Sequence, residues 1–324
     1  MVETMRGPID AAKLGATLMH EHIFIINYET TENFPEQWPD EGASLQKAAD
    51  LLEELRESEG ISTIVDVTAV GLGRNTARLE RLAQLTDINI ITCTGLYVFA
   101  LEPHVFRYRG PGKLFDEPDP IYDLLLRDIT EGVAGTSVKA GILKCASDSF
   151  GLTPGVERIL RVTAQVHRAT GVPISTHTLA AAKSGLEQQR VFEEEGVDLS
   201  RVIIGHCGDT TDLDYLEELI QRGSYLGMDR FGLDAFLPFK DRVETVAELC
   251  KRGHANRLVV GHDASAHDDG HNQQMLKTLL PNWHWRHFTR DVVPALRERG
   301  VEESEIEQIL VGNPRAIFAR TGAY

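Results

Sequence analysis

Eight times along the chain a short run of β-branched and other apolar residues gives way to a longer amphipathic stretch. That alternation narrows the fold more than any other feature. The runs are ATLMHEHI (16–23), STIVDVT (62–68), INIITCTGL (88–96), AGILKCAS (140–147), VPISTHT (172–178), RVIIGHC (201–207), SYLGMDR (224–230) and RLVVGHDA (257–264). Near-continuous apolar strands separated by helices belong to parallel sheets covered by helices. Helix punctuation agrees. The stretch TPGVERILRVTAQVHRATG offers Thr153 as N-cap, Pro154 at the first helical position and Gly171 as the stop. GASLQKAADLLEELRESEG, residues 42–60, reads the same way. Eight such units predict an α/β fold of the (β/α)8, or TIM-barrel, type, and no GxGxxG follows the first run to suggest a dinucleotide-binding half. With no linker or low-complexity tract, residues 1–324 are expected to form one domain. ESEIEQILVGNPRAIFA (303–319) predicts a last helix beneath the barrel.

Charge excludes several partners. The chain carries 33 Lys and Arg against 49 Asp and Glu, a net charge of −16 with neutral histidine. Such a field repels nucleic-acid phosphates and anionic membrane surfaces, and no basic cluster offsets it. Cys93, Cys145, Cys207 and Cys250 are scattered without a CxxC pair, which points to reduced thiols in the core. The segment MVETMRGPID lacks the apolar core of a signal peptide, and no run approaches the ~20 apolar residues of a membrane span. The expectation is a cytoplasmic protein acting on a small molecule, with neither nucleic acid nor membrane as partner.

The first run holds the anomaly: His20 and His22 stand where a buried strand wants valine and isoleucine. Residues two apart on a strand share a face, so both imidazoles point the same way. In this fold that face is the barrel interior at its C-terminal end, where active sites form. Four more runs end similarly: Lys144 in GILKCAS, His177 in ISTHT, His206 in IIGHC and Asp263 in VVGHDA. A polar side chain after three or more apolar residues is costly to bury uncompensated. Four histidines and a carboxylate at one mouth suit divalent transition metals. Lys144 leaves two readings open. Burial lowers a lysine pKa, and a neutral amine can capture carbon dioxide as a carbamate able to bridge two metals. Alternatively, Lys144 forms a salt bridge with Asp263.

In this order, the six residues resemble the dinuclear signature of the amidohydrolase superfamily, within it the phosphotriesterase family, and most of all the phosphotriesterase-like lactonases. The resemblance runs from RGPID and LGATLMHEH through GILKCAS, ISTHT, IIGHCGDTTD and GMDRFG to LLPNWHW and VGNPRAIF. It implies an amidohydrolase-like barrel with two divalent ions, zinc first and iron, cobalt or manganese as alternatives. His20, His22 and Asp263 would hold the buried ion, and His177 and His206 the exposed one. N6-carboxylated Lys144 and a hydroxide would bridge them. The hydroxide attacks, the exposed ion polarises the substrate, and Asp263 takes the proton. The family is commonly dimeric, which implies a homodimer.

Two positions lean toward lactones. Tyr97 stands in TGLYVF, where the third strand ends, and Arg230 ends the seventh run, as in the lactonases, whereas the phosphotriesterases proper resemble this chain less there, with tryptophan and histidine. A phenol can orient a lactone and stabilise developing charge; Arg230 would line the pocket beside it or pair with Asp229 or Asp234. The main expectation is therefore lactone opening with weak phosphotriesterase side activity, and the alternative is phosphotriester hydrolysis as the main activity. A non-catalytic metal protein or a one-metal deaminase-like enzyme fits less well, since no ligand position is missing. The segment ASAHDDGHNQQMLKTLLPNWHW departs from the acyl-homoserine lactonases. Its first half is polar, with His267, Asp268, Asp269, His271 and Asn272, and reads as a solvated loop. Met275, Leu276, Leu279 and Leu280 follow at helical spacing. Phe34 and Trp38 cover the pocket or, the preferred expectation, pack at a subunit interface, and Trp283 walls the pocket or anchors the last loop.

Overall fold

The computed structural model describes residues 1–35, 40–319 and 322–324. All eight predicted strands form: β1 (Ala16–Ile25), β2 (Ile61–Asp66), β3 (Asn89–Gly95), β4 (Ile142–Ala146), β5 (Ile174–His177), β6 (Val202–Ile204), β7 (Tyr225–Met228) and β8 (Leu258–Val260). Each pairs in parallel with the next, as the helical crossovers between them require. A ninth strand, β9 (Ser265–Asp268), pairs in parallel with β1. The eighth barrel strand is thus split: β8 pairs with β7, β9 pairs with β1, and the residues between complete the ring. Asp263 N donates to His20 O at 3.0 Å and His22 N to Ala264 O at 2.9 Å. Gly261 makes that approach possible, because a Cβ there would sit 2.6 Å from His20 O. The (β/α)8 barrel is closed.

Helix ends follow the punctuation read from sequence. Thr153 caps Pro154–Thr170 by accepting from Val156 N, and Gly171 ends it at φ 75°. Gly60 does the same after Glu41–Glu59 at φ 72°. The predicted last helix forms over Glu303–Glu307 and Asn313–Ala319, joined by a π-helical turn, Gln308–Gly312. A second π turn, Phe288–Val292, precedes Val293–Glu298. Pro314 and Pro294 each fall two residues past such a turn, and the wider coil spares their rings the clash a regular helix imposes.

Inside the barrel, Met19, Val65, Val67, Ile91, Cys93, Ile142, Ile203 and Val259 pack together. The larger cluster lies between strands and helices. Below, Ile317 and Phe318 of the last helix join Val2, Ala11 and Leu14 against this interior. Asn313 Nδ2 bonds Ala255 O at 2.8 Å and Leu258 O at 2.6 Å, tying that helix to the entry of β8. Strand β1 carries one irregularity that matters. Leu18 pairs with Ile64 but Glu21 with Asp66, three steps against two, so β1 holds one extra residue. This bulge lets Met19 join the interior while His20 and His22 still face inward. All four cysteines are free and buried. No helix among the described residues is long and apolar enough to cross a membrane.

Candidate metal centre

The six predicted residues meet at the C-terminal end of the barrel. His20 Nε2 lies 2.9 Å from Lys144 Nζ and 3.5 Å from Asp263 Oδ1. His22 Nε2 lies 3.1 Å from the same Oδ1, and His206 Nε2 3.8 Å from Asp263 Oδ2. His177 Nδ1 and His206 Nε2 face each other at 2.8 Å. All the nitrogens sit on buried side chains, and Lys144 is fully enclosed. His206, Arg230 and Asp263, at the exits of β6, β7 and β8, all adopt left-handed backbone conformations, φ 59°, 63° and 55°. Such conformations cost a non-glycine residue about 1 kcal/mol or more and collect at functional sites. Where β3 passes β4, Gly95 admits a contact that a Cβ, 1.8 Å from Lys144 O, would forbid.

Behind the donors stands a ring of partners that the sequence reading did not assign. His22 Nδ1 is 2.8 Å from Thr68 Oγ1, and His177 Nε2 is 2.7 Å from Asp148 Oδ2. The fully buried Asp229 lies 2.9 Å from His20 Nδ1, 2.8 Å from His206 Nδ1, and accepts from His206 N. His20, His206 and Asp229 could in principle share an ion themselves. Asp229 meets both rings at Nδ1, the nitrogens turned away from Lys144, His177 and Asp263, and so orients the two imidazoles. Each histidine has its outer nitrogen beside one of these partners and its inner nitrogen turned toward the other donors of the cluster, the arrangement of metal-ligating imidazoles.

Electrostatics agree with that assignment. Burial, reinforced by Lys144, pushes His20 down to about 4. Burial also lowers His177 and, with Arg230, drives His206 well down. Neutral imidazoles are what a cation needs. Burial would raise Asp263, yet His206, a hydrogen bond from His22 and Arg230 outweigh it and hold the carboxylate well below its usual range. Burial lowers Lys144 as well. No carboxylate among the described residues lies within ion-pair distance of its Nζ, so the salt bridge to Asp263 does not form. The chemistry of this set, four inner imidazole nitrogens, one carboxylate and one buried amine, fits two divalent ions.

Tyr97 and Arg230 flank the cluster. The Tyr97 hydroxyl is 3.4 Å from His177 Nδ1, its ring meets Phe99 and His177 edge-on, and burial followed by Asp263 raises its pKa and keeps the phenol protonated. Arg230 pairs with neither Asp229 nor Asp234. Its Nε donates to Asp263 Oδ2 at 2.9 Å and its Nη1 to Asp209 Oδ2 at 2.8 Å. Arg242 in turn holds Asp209 Oδ1 at 2.6 Å.

The segment after Asp263 is more ordered than expected. His267 and Asp268 belong to β9, His267 Nε2 lies 2.6 Å from Asp269 Oδ1, and His271 Nδ1 lies 2.6 Å from Asp268 Oδ2. The solvated-loop reading fails over residues 265–269, because β1 takes β9 as its partner, whereas His271 and Asn272 are exposed as that reading expects. Leu276, Leu280 and Trp283 line a cleft of about 440 Å³ against Leu51, outside the donor ring, while Met275 and Leu279 are exposed. Trp283 anchors the segment by donating from Nε1 to His262 O at 2.8 Å. Phe34 is exposed, and Trp38 lies outside the described residues.

Comparison with known proteins matches this geometry. A sequence profile described as the phosphotriesterase family matches residues 1–318. A phosphotriesterase homology protein of Mycobacterium tuberculosis is 54% identical, spanning 100% of this chain and 99% of its own length. An aryldialkylphosphatase of Saccharolobus solfataricus is 37% identical over 96% of this chain and 97% of its own. The human N-acetyltaurine hydrolase is 28% identical, covering 97% and 96%. The solved structure titled as the phosphotriesterase from Mycobacterium tuberculosis superposes with a TM-score of 0.98 at 54% identity, covering 100% of this chain and 99% of that one. A closed parallel barrel with histidine and aspartate donors converging at its mouth, and likeness along nearly its whole length, place the chain in the phosphotriesterase family of binuclear metal hydrolases.

Proposed function

We propose that this hydrolase opens lactone rings, acyl-homoserine lactones or other γ- and δ-lactones, with phosphotriester cleavage as a weaker side activity. The observation that carries this reading is the pair at the mouth: Tyr97, kept protonated and 3.4 Å from His177, opposite Arg230. His20, His22 and Asp263 would hold one ion, His177 and His206 the other, and Lys144 would join them as its carbamate. Two divalent ions, when bound, polarise an ester oxygen and bring water's pKa toward neutrality. The protein's own groups do the rest. Tyr97 donates a hydrogen bond to the lactone carbonyl or ring oxygen, orienting the ring. Asp263, held ionised, accepts the proton released as water attacks. Arg230 cannot relay that proton, since a guanidinium stays charged; bonded to Asp263 and Asp209, it fixes the rotamer of the accepting carboxylate.

A second reading has its own support, because one relative is named an aryldialkylphosphatase and another an N-acetyltaurine hydrolase. The test is one panel on metal-reconstituted protein: lactones of increasing acyl length, paraoxon and N-acetyltaurine. The expected result is the highest kcat/KM on a lactone. Paraoxon or N-acetyltaurine turned over better than every lactone would overturn the proposal.

A further inference from the structure

Between His20 and His22, on the opposite face of β1, stands Glu21, wholly buried at 0% exposure. Its carboxylate reaches across the seam to both neighbours of Asp263. Oε1 accepts from His262 N at 2.7 Å and lies 2.7 Å from His262 Nδ1, while Oε2 accepts from Ala264 N at 3.1 Å. The His262 ring, also at 0% exposure, uses its other nitrogen to accept from Phe288 N at 3.0 Å. One tautomer, protonated on Nδ1, satisfies both contacts. The carbonyls on either side of Asp263 are taken as well: Trp283 Nε1 donates to His262 O at 2.8 Å and Trp285 Nε1 to Ala264 O at 3.1 Å.

We infer that Glu21 and His262 are a positioning pair for the metal centre: they lock the strand that carries His20 and His22 to the turn that carries Asp263. Asp263 sits at φ 55°, in the left-handed region that few non-glycine residues occupy, and the bonds on either side of it hold it there. The three bonds from Glu21 supply that restraint from behind. The two indoles extend it into the segment following β9, so the wall beside the mouth and the carboxylate at its centre move together. Neither Glu21 nor His262 touches substrate in this assignment. Both act through Asp263, and the inference rests on reading the six donors as metal ligands, not on the choice of lactone.

Cobalt-reconstituted protein tests it by two readouts other than turnover: the visible spectrum of the bound cobalt and the rate of cobalt loss to a chelator. Glu21→Gln turns one acceptor into a donor that faces an N–H, and His262→Leu removes both ring contacts. Each should shed cobalt about 10–100-fold faster and shift the spectrum, the range seen when partners of metal ligands are lost. His262→Asn, which can keep a donor toward Glu21, should recover part of the difference. Asn313→Ala cuts the bonds at the opposite end of β8; it should lower thermal stability yet leave spectrum and release rate at the wild-type values. If Glu21→Gln does not fold, Trp285→Phe, which loses only the bond to Ala264 O, should still speed release. Folded Glu21→Gln or Trp285→Phe with wild-type spectrum and release would overturn the inference, as would Asn313→Ala changing both to the same degree. A wild-type protein taking up no cobalt would instead overturn the ligand assignment itself.

Discussion

The two ends of the barrel are built on opposite principles. At the floor, the last helix plugs the interior with Ile317 and Phe318. Asn313 caps the entry of β8 there, and Tyr324 Oη lies 2.6 Å from His167 Nε2 while accepting from Asp198 N at 2.8 Å. At the mouth, three strands exit through left-handed non-glycine residues, and a lysine is buried with no carboxylate within ion-pair distance among the described residues. Conventional packing at one end supports strain and costly burial at the other. Damage at the floor should therefore cost folding and spare chemistry, and damage at the mouth the reverse.

Lys144→Ala should break the comparison most sharply. Hydrolysis should fall by about 10³-fold, roughly 4 kcal/mol of barrier, while the metal-free protein unfolds no earlier, since a buried amine that is costly to desolvate has been removed. Steady-state kinetics beside thermal unfolding of the metal-free form decides it; full activity would refute the bridging role. Phe318→Ala is the floor's counterpart. Emptying that site should cost about 3–5 kcal/mol in denaturant unfolding while the folded fraction keeps its kcat. A matching loss of kcat would show that the ends are not separable.

Tyr97→Phe sharpens what the mouth recognises. Loss of one hydrogen bond should lower lactone kcat/KM about tenfold. Paraoxon hydrolysis should change less, and an equal loss on both substrates would remove the phenol from lactone recognition. The smallest expected effect is a pH slope at the floor. Burial pushes His167 down to about 4, against 6.5 for an ordinary histidine. Between those values the unfolded chain binds a proton that the folded chain declines, so stability is complete above about pH 6.5 and declines as pH falls toward 4. His167→Gln should flatten the dependence in that window by about 1.4 kcal/mol per pH unit, read from denaturant midpoints at several pH values. An unchanged slope would mean His167 titrates normally in the folded protein.

Much of the mouth was legible because each donor interrupts an apolar run in a way burial does not tolerate without compensation. The orienting residues were not. Asp148 and Thr68 stand beyond strand ends, and their contacts to His177 and His22 span 29 and 46 positions. Asp229 did carry a signal: it closes SYLGMD just as Asp263 closes VVGHD, and the same rule finds it. Glu21 was hidden by its neighbours, since a glutamate between two inward histidines reads as an outward, solvated side chain. The order in His267–Asp269 was hidden too, because edge pairing depends on which strand lies alongside.

The sequence by itself determined the barrel, its strand positions and which residue types gather at its mouth, because hydrophobic period and helix punctuation act over a few residues. Only the tertiary structure decided how strand eight splits to close on β1, where the bulge sets His20 and His22, and that Arg230 binds Asp263 and Asp209. Those outcomes turn on hydrogen-bond partners up to 243 positions apart. No local pattern encodes that separation, and only the closed ring brings such groups within hydrogen-bonding distance.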